Sequence, residues 1–537
     1  MISAVQLPLG QFFPNNYFTI PGFQRPYVWD KDEIETLLED LENAKNLGLQ
    51  DYFIGNVVFY TNFQNNFNTS IILDGQQRLT TILLLFAVIR DRLGMPQIQT
   101  LLEYDLNGIQ RDKIDFDIRK NVTSFIKNHV IPLGGTKLPV GMTLSDKSAI
   151  NMANALQIMH NWFDNNPSSN PSILYQYLLQ NVFIVSVASQ NMQDALRLFT
   201  VLNNRGVKLR SSDILKADNL SAIAPAKQNE FATNWENIEN DFDEEGFDLF
   251  LLHLRTILVK TKAQKNLLDE YKDIYHNGVL QLGLPTIEFI RKYKQHYDDI
   301  QRNDYIKGDL RLYNTVQILS KTVKSNIWLP VLLFYKEKFC SQNLIDFALL
   351  LEKKFSADWL NGMSLTPRIT AMNDILKAID SSSTPAALFS NTALDYNKHF
   401  INNLTISDLY GTPFASYILG KLCFLLGDPV TTKLTFKGTI EHILPQNPQL
   451  NSQWCMDFTS QEIIDWKHKL GNLVLLDRAK NTSLSNNDYT VKKTKYFGSH
   501  INLYPLSLKI LTSYQNWTQL ELSTNHQNMI DVLDKHY

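Results

Sequence analysis

The chain has 537 residues, more than one hydrophobic core usually organises, and this length predicts about two to four domains. Apolar residues make up 44% of it and charged residues 20%, which is the composition of a soluble globular protein. The longest apolar run, residues 82–89, is too short to span a membrane, and the net charge of −3 excludes no class of partner.

The first residues and the cysteines indicate where the protein works. MISAVQLPLGQFF lacks the basic start and apolar core of a secretion signal, so we expect a cytoplasmic protein. Cys340, Cys423 and Cys455 lie far apart and form no C-x-x-C pair. This spacing argues against a disulfide framework and against a structural zinc site.

In chain order, the first predicted elements are an extended stretch, a helix and two strands. The prolines of IPGFQRPYVWD, residues 20–30, keep that stretch out of the helical region. Residues 31–45 predict a helix, because apolar side chains recur at helical spacing with acids on the other face. Residues 52–60 and 70–74 predict strands, and the Asn-rich residues 61–69 between them predict a hairpin loop.

Later segments alternate between strand and helix patterns. Residues 82–93 predict a largely buried helix, and residues 181–189 predict a strand. Helices are predicted over about residues 192–202 and from about residue 213, with a polar turn between them. From about residue 230 to 400 the periodicities are helical, and β-branched residues, Gly and Pro then return.

This pattern predicts an α+β, multidomain protein. We divide it into an amino-terminal α+β domain at residues 1–225, a mainly helical linking domain at 226–410 and a carboxyl-terminal domain at 411–537.

Five consecutive positions between a strand and a helix, Asp74, Gly75, Gln76, Gln77 and Arg78, have the chemistry of a ligand site. Gly75 lets a ligand approach the backbone, and a helix start offers N–H groups to an anion. A cation such as Arg78 is unfavourable in the first turn unless it faces an anion. The residues alone leave an alternative open, in which Asp74 caps the helix and the amides are solvated. The chain has no P-loop sequence.

Two further clusters have similar chemistry. Gln24 and Arg25 form a second Gln-Arg pair, in the extended stretch. Asn203 and Arg205 lie in a polar turn within FTVLNNRGVKLRSSDILK, residues 199–216. The residues of each cluster can also simply form a turn or end a helix.

A constellation in the last third has the residue types of a phosphodiesterase. Such an enzyme needs a base for water and a cation for the scissile phosphate. His442 is the predicted base, and Asn472 is predicted to orient its imidazole. Glu441 and Asn481 are the predicted oxygen ligands of one Mg²⁺ or Mn²⁺ ion. Taken singly, each residue also has a structural reading as a hydrogen-bonded His, a turn or a helix cap.

Positive charge is concentrated around the same residues. Residues 467–495 carry seven Lys or Arg against two Asp, a local charge of +5. Such a patch can neutralise DNA phosphates, although a charge run is often only a solvated face. The predicted DNA-binding residues are Lys467, His468, Lys469, Arg478, Lys480, Lys492, Lys493 and Lys495.

These motifs, in this order, resemble those of GmrSD-type modification-dependent restriction proteins. The amino-terminal domain of that family carries QRPYVW, DGQQRLTT and an Asn-x-Arg-Gly turn, matched here by residues 24–29, 74–81 and 199–216. Its carboxyl-terminal domain carries EHIxPQ and HxxGNLxLL, matched by residues 441–446 and 468–476.

The resemblance implies a fold and an activity for each end of the chain. The amino-terminal domain would be ParB-like and would bind and hydrolyse a nucleoside triphosphate, GTP or another. The carboxyl-terminal domain would be a ββα-metal, His-Me finger (HNH) nuclease, in which Glu441 replaces the commoner Asp or His. The implied nucleotide-binding residues are Asp74, Gly75, Gln76, Gln77, Arg78, Gln24, Arg25, Asn203 and Arg205.

We therefore expect a nucleotide-regulated, metal-dependent DNA endonuclease or nickase of anti-phage restriction type. Its substrate would be double-stranded phage or modified DNA, and the family allows glucosylated cytosine or phosphorothioate linkages. Two alternatives stay open: a nucleotide-dependent DNA-binding switch without nuclease activity, and a scaffold in which DGQQR only starts a helix. The sequence does not determine the nucleotide or the oligomeric state.

Overall fold

The computed structural model contains two compact units, an amino-terminal unit (Met1–Asp248 with Leu280–Ile287) and a carboxyl-terminal unit (Leu249–Val279 with Glu288–Tyr537). The fold is mixed α/β and multidomain, and the division into three domains stays a prediction. The described residues are 2–22, 24, 26–64, 67–106, 109–116, 120–139, 141–190, 210–243, 245–302, 309–434, 438–477, 486–497 and 504–537.

A six-stranded mixed sheet organises the described part of the amino-terminal unit. The strands of this unit are β1 (Ile2–Pro8), β2 (Phe18–Ile20), β3 (Tyr52–Gln64), β4 (Phe67–Asp74), β5 (Glu103–Leu106), β6 (Ile109–Asp112), β7 (Ile114–Phe116) and β8 (Val182–Ser189). They lie in the order β1-β8-β3-β4-β2-β7, while β5 and β6 form a separate hairpin. Within the sheet, β3 pairs antiparallel with β4 and parallel with β8.

The helices of the amino-terminal unit pack on this sheet or on one another. They are α1 (Leu9–Asn15), α2 (Lys31–Asn46), α3 (Gln76–Leu93), α4 (Lys120–Phe125), α5 (Lys147–Asn165), α6 (Pro171–Asn181), α7 (Ser211–Ser221) and α8 (Pro225–Glu239). Every side chain of α3 from Leu79 to Arg90 is buried, because α5 and α6 pack against it. The predicted buried helix is therefore confirmed. The predicted helix at 192–202 lies outside the described residues.

The hairpin between β3 and β4 is tighter than predicted. Strand pairing continues through most of the expected loop, with Thr61 opposite Ser70 and Gln64 opposite Phe67. The prediction of a loop over residues 61–69 is therefore wrong. Backbone hydrogen bonds to the neighbouring strand outweigh the low strand propensity of Asn here.

The carboxyl-terminal unit is mainly helical. Its elements are α9 (Gly246–Val259), α10 (Leu267–His276), α11 (Leu284–Arg302), α12 (Arg311–Thr322), α13 (Leu329–Phe339), α14 (Leu344–Leu360), α15 (Leu365–Ser381), α16 (Pro385–Phe389), α17 (Phe400–Ile406), α18 (Ala415–Leu426), β9 (Gly438–His442), α19 (Trp454–Asp457), α20 (Ser460–Trp466), β10 (Leu473–Asp477), α21 (Tyr489–Phe497), α22 (Pro505–Ser513) and α23 (Gln519–His536). The first residues of α9 and of α11 belong to the amino-terminal unit. Between residues 230 and 400 the described segments form helices and turns, which confirms the predicted helical region.

Two strands near the carboxyl end form an antiparallel pair. In this pair His442 of β9 lies opposite Leu473 of β10, and Glu441 lies opposite Val474. Glu441 and His442 are therefore part of the strand rather than beyond its end. A search of the described helices finds none long and apolar enough to cross a bilayer.

One buried cation ties α3 to the rest of the amino-terminal unit. Arg90 is 0% exposed, and its guanidinium donates to the carbonyl oxygens of Val130, Ile131 and Pro132 at 2.7 to 3.0 Å. It also pairs with Asp91 at 2.8 Å. The sequence pattern of a buried apolar helix did not anticipate this role.

We expect Arg90→Leu to lower the free energy of unfolding of the amino-terminal unit by about 3–5 kcal/mol, because three carbonyls and a carboxylate lose a buried donor. Urea unfolding of the full chain measures this change. Arg92→Leu is the matched control on the same helix, since Arg92 pairs with a largely exposed Asp164 and should cost about 1 kcal/mol or less. Equal effects of the two substitutions would contradict this account.

Candidate functional site

The first predicted site lies where β4 turns into α3. Gly75 begins the helix in the left-handed region, with φ of 90°, and no side chain caps the helix. A Cβ at this position would lie 2.8 Å from Cγ2 of Val57, so only glycine fits both the conformation and the space. Gly75 and not Asp74 therefore holds the N-cap position, which contradicts the alternative reading of Asp74 as the cap residue.

The guanidinium of Arg78 crosses back over β3. Its Nη1 donates to the carbonyl oxygen of Asn56 at 3.1 Å. A Cβ on Gly55 would lie 2.6 Å from the same nitrogen. Gly55 therefore makes the space that Arg78 occupies, and the sequence analysis missed it. A glycine inside a strong strand pattern was the available signal.

Asp74 and Arg78 influence each other electrostatically. Burial raises the pKa of Asp74, while the Gly75 N–H and the charge of Arg78 partly oppose that shift. Burial likewise lowers the pKa of Arg78, opposed by Asp74. A carboxylate and a guanidinium, both partly buried, are therefore close enough to influence each other at the junction of β4 and α3.

Gln24 and Gln77 hold the extended segment against this helix. Nε2 of Gln24 donates to the carbonyl oxygen of Leu73 at 2.8 Å. Gln77 accepts from the Val28 N–H at 2.9 Å and donates to the Pro26 carbonyl oxygen at 2.9 Å. Both polar ends of Gln77 are therefore used by the main chain, so it positions the segment instead of reaching a ligand.

The other predicted nucleotide residues divide into two groups. Gln76 is buried at 8% exposure in the first turn of α3. Arg25, Asn203 and Arg205 lie outside the described residues.

The second predicted site is centred on the imidazole of His442. His442 is 5% exposed, and its Nε2 lies 3.2 Å from Nδ1 of His468. On the other side of the ring, the amide nitrogen of Gln446 lies 3.4 Å from Nδ1. Because an amide nitrogen can only donate, these contacts place the proton of His442 on Nε2 and its lone pair on Nδ1.

Tyr410 packs against both imidazoles, and the sequence analysis did not single it out. Its ring lies edge-on to His442 at 4.4 Å between centroids and stacks on His468 at 5.2 Å. Its backbone N–H donates to the carbonyl oxygen of His468 at 3.2 Å. Tyr410 comes from the segment before α18, far from the motifs in sequence, so no local pattern could reveal it.

The imidazole of His442 is uncharged at neutral pH. Burial is the main reason that its pKa falls to about 4, and neighbouring positive side chains add to the shift. Burial also lowers the pKa of His468. A neutral imidazole with an available lone pair can accept a proton from water.

Asn472 does not orient the imidazole, which corrects the prediction. It is 0% exposed, and its Oδ1 accepts from the Leu444 N–H at 2.7 Å. Its Nδ2 donates to the carbonyl oxygens of Leu444 and Lys467, both at 2.9 Å. The amide is therefore used by the backbone, and His468 makes the contact with His442 that had been assigned to Asn472.

Lys492 is not a surface residue, which corrects its assignment to DNA. It is 0% exposed, and its Nζ pairs with Oε1 of Glu441 at 2.9 Å. The same ammonium donates to the carbonyl oxygens of His442 and Ile443 at 2.8 and 3.1 Å. It comes from α21, which thereby lies against the end of β9. The sequence showed only the charge of Lys492 and not its burial.

The other basic residues predicted to bind DNA differ in exposure and in their partners. Lys467 and His468 are partly exposed, and Lys495 is exposed. Lys469 pairs with Asp408 at 3.2 Å, and Lys493 donates to the Tyr514 carbonyl oxygen at 2.9 Å. Arg478 and Lys480 lie outside the described residues, as does Asn481, the second predicted metal ligand.

Glu441 is the predicted metal ligand that lies within the described residues. Its Oε1 accepts from Nζ of Lys492 at 2.9 Å, and the carboxylate also accepts from the backbone N–H of His442. Within those residues no three His, Cys, Asp or Glu side chains cluster as metal ligands. A single carboxylate oxygen fits Mg²⁺ or Mn²⁺, because such ions keep several waters and need few protein ligands.

Comparison with known proteins identifies both ends of the chain. Residues 9–220 match the N-terminal domain of the GmrSD restriction endonucleases. Residues 395–532 match the C-terminal domain of the same endonucleases. No curated protein matches the chain significantly.

We expect Asn472→Ala to lower the free energy of unfolding of the carboxyl-terminal unit by about 2–4 kcal/mol, because it leaves buried backbone groups unpaired. His468→Ala is the comparison, since His468 is partly exposed and should cost about 1 kcal/mol or less. Urea unfolding measures both. Wild-type stability of Asn472→Ala would contradict the structural role given to this amide.

Proposed function

The chain belongs to the GmrSD restriction endonuclease family, and from this premise we propose that it is a metal-dependent DNA endonuclease controlled by a nucleoside triphosphate. The membership makes it a DNA endonuclease of anti-phage restriction type. The HNH chemistry, the metal, the nucleotide and a preference for modified DNA are our proposals.

The neutral, buried imidazole of His442 at the end of a paired strand is the observation that carries the proposal. Its Nδ1 has only the exposed amide of Gln446 as a partner among the described residues, at 3.4 Å, and water or substrate can displace this long contact. In the proposed reaction Nδ1 takes a proton from water. The water oxygen then bonds to phosphorus, and the bond from phosphorus to one sugar oxygen breaks.

His468 and Tyr410 would position the base rather than react. The hydrogen bond from His442 Nε2 to His468 fixes the ring orientation, and the Tyr410 ring limits its movement. The positive charge that develops on His442 would be stabilised by the DNA phosphate beside it. The strand pair β9–β10 with α21 behind it supports a ββα-metal arrangement.

The metal would be held by Glu441 and Asn481. When bound, a Mg²⁺ or Mn²⁺ ion would stabilise charge on the scissile phosphate and on the leaving oxygen. The buried Lys492 holds the Glu441 carboxylate in place through Oε1.

The nucleotide would bind at the start of α3. The uncapped first turn and the Arg78 guanidinium offer N–H donors to phosphate oxygens, and Asp74 offers a carboxylate to a sugar hydroxyl or a metal. Gln24 and Gln77 would shape the site through the segment they hold. Hydrolysis of this nucleotide would control when DNA is cut.

A DNA-binding switch without nuclease activity remains the second candidate. The buried pair between Glu441 and Lys492 favours it, because a carboxylate already neutralised by a lysine can be purely structural. Metal-dependent cleavage by the wild-type protein would exclude this candidate.

We expect His442→Ala to reduce DNA cleavage by about 10²–10⁴-fold, the usual contribution of a general base. His468→Ala should reduce it less, by about tenfold, because the ring loses its orientation but keeps its lone pair. Cleavage of plasmid DNA with Mg²⁺ or Mn²⁺ measures both. His276→Ala, which changes an exposed histidine outside this cluster, is the control and should cut like the wild type. Undiminished cleavage by His442→Ala would overturn the assignment of the base.

We expect Asp74→Ala and Arg78→Ala each to weaken binding of GTP or another nucleoside triphosphate by about tenfold or more, because each removes a charged contact. Calorimetry with the full chain measures the dissociation constants. Arg92→Ala removes a cation from the other end of α3 and should bind like the wild type. Wild-type binding by both site variants would remove the proposed nucleotide site.

A further inference from the structure

A cavity in the helical part of the carboxyl-terminal unit has no role in the proposed function. Its volume is about 600 Å³, within the range of small-molecule sites. One face of α9, the segment after α12 and the middle of α15 line it. Its lining includes the apolar side chains of Leu252 and Met372 and the polar or charged side chains of His253, Lys262, Lys324 and Asn373.

Two buried polar side chains in this cavity have no hydrogen-bond partner among the described residues. His253 is 7% exposed and Asn373 is 4% exposed. Buried polar groups are almost always hydrogen-bonded, so the polar ends of these two are available to water or a ligand inside the cavity. Burial lowers the pKa of His253 to about 4, which leaves it neutral with one donor and one acceptor nitrogen. Asn373 also offers a donor and an acceptor.

The charge around the cavity has one sign. Lys262 and Lys324 line it and are exposed, so they lie on its solvent side. Lys262 donates to Thr366 at 3.0 Å, and neither lysine forms an ion pair with a described residue. No Asp or Glu lines the cavity. The outer part therefore suits an anion, while apolar side chains such as Leu252 and Met372 suit a flat or apolar body.

We propose that this cavity binds a single nucleotide unit, with the base inside and the phosphate at the lysines. A base edge presents donors and acceptors that an amide and a neutral imidazole can match, and a phosphate suits an ammonium group. A fatty acid would satisfy the lysines but would leave His253 and Asn373 unpaired. The inference is independent of the nucleotide site at α3, which lies in the other unit.

Two sources can supply such a unit. It can be a free nucleotide, or a nucleotide turned out of a DNA strand, which presents the same base and phosphate. The experiment therefore needs one arm for each source.

The first arm measures binding of the four deoxynucleoside 5′-monophosphates by calorimetry. The full chain carries Asp74→Ala and Arg78→Ala, which together weaken binding at the proposed site on α3. The second arm measures the fluorescence of 2-aminopurine in a short single-stranded oligonucleotide, which rises when the base leaves the stack. Each arm compares Asn373→Leu and Lys324→Ala with Lys321→Ala, a matched loss of an exposed lysine outside the cavity.

In at least one arm we expect Asn373→Leu and Lys324→Ala each to lower the measured affinity, for the mononucleotide or for the oligonucleotide, by about tenfold. Lys321→Ala should leave that affinity unchanged. Lys324 is exposed, so its variant should fold normally, and thermal unfolding checks Asn373→Leu. A response in the first arm supports a free nucleotide, and one in the second arm alone supports a base turned out of DNA. No response in either arm, or one that the cavity variants leave intact, would overturn the proposal. Binding of decanoate without any nucleotide would equally overturn it.

Discussion

The buried ammonium of Lys492 is the interaction on which the candidate nuclease site depends. A charge taken out of water must be neutralised, and Lys492 is neutralised by Glu441 and by two carbonyl oxygens at the end of β9. Those contacts fix the acid, the backbone of His442 and α21 relative to one another. The base and the proposed metal ligand therefore share one support, and neither can shift without exposing a buried charge.

The amino-terminal site depends on the space that two glycines leave for neighbouring side chains. Two glycines, Gly55 and Gly75, remove the side chains that would collide with Arg78 and with Val57. The same two positions let β3 and the start of α3 approach closely. Gln77 of the motif and Gln24 of the extended segment then hold that segment in place. The motif therefore places a glycine at the helix start, and Asp74, Arg78 and the backbone stay as its proposed ligand contacts.

The sequence predicted the elements well because strong hydrophobic periodicity determined them, as in α3 and the helical region before residue 400. It predicted single side-chain roles less well. Asn472 and Lys492 were assigned to chemistry and DNA, yet both are buried and serve the backbone. Whether a residue is buried depends on which segments pack against it. The position of Tyr410 beside the two imidazoles likewise depends on packing between distant segments. These features arise from contacts between distant segments, which no local spacing records.

The central claim is that a nucleotide controls metal-dependent cutting of DNA. The most direct measurement is cleavage of unmodified, glucosylated and phosphorothioate DNA by the full chain, with Mg²⁺ or Mn²⁺ and with or without each nucleoside triphosphate. The account predicts that cleavage requires the metal and that at least one nucleoside triphosphate changes its rate. No cleavage of any DNA under these conditions, or cleavage that no nucleotide affects, would contradict it.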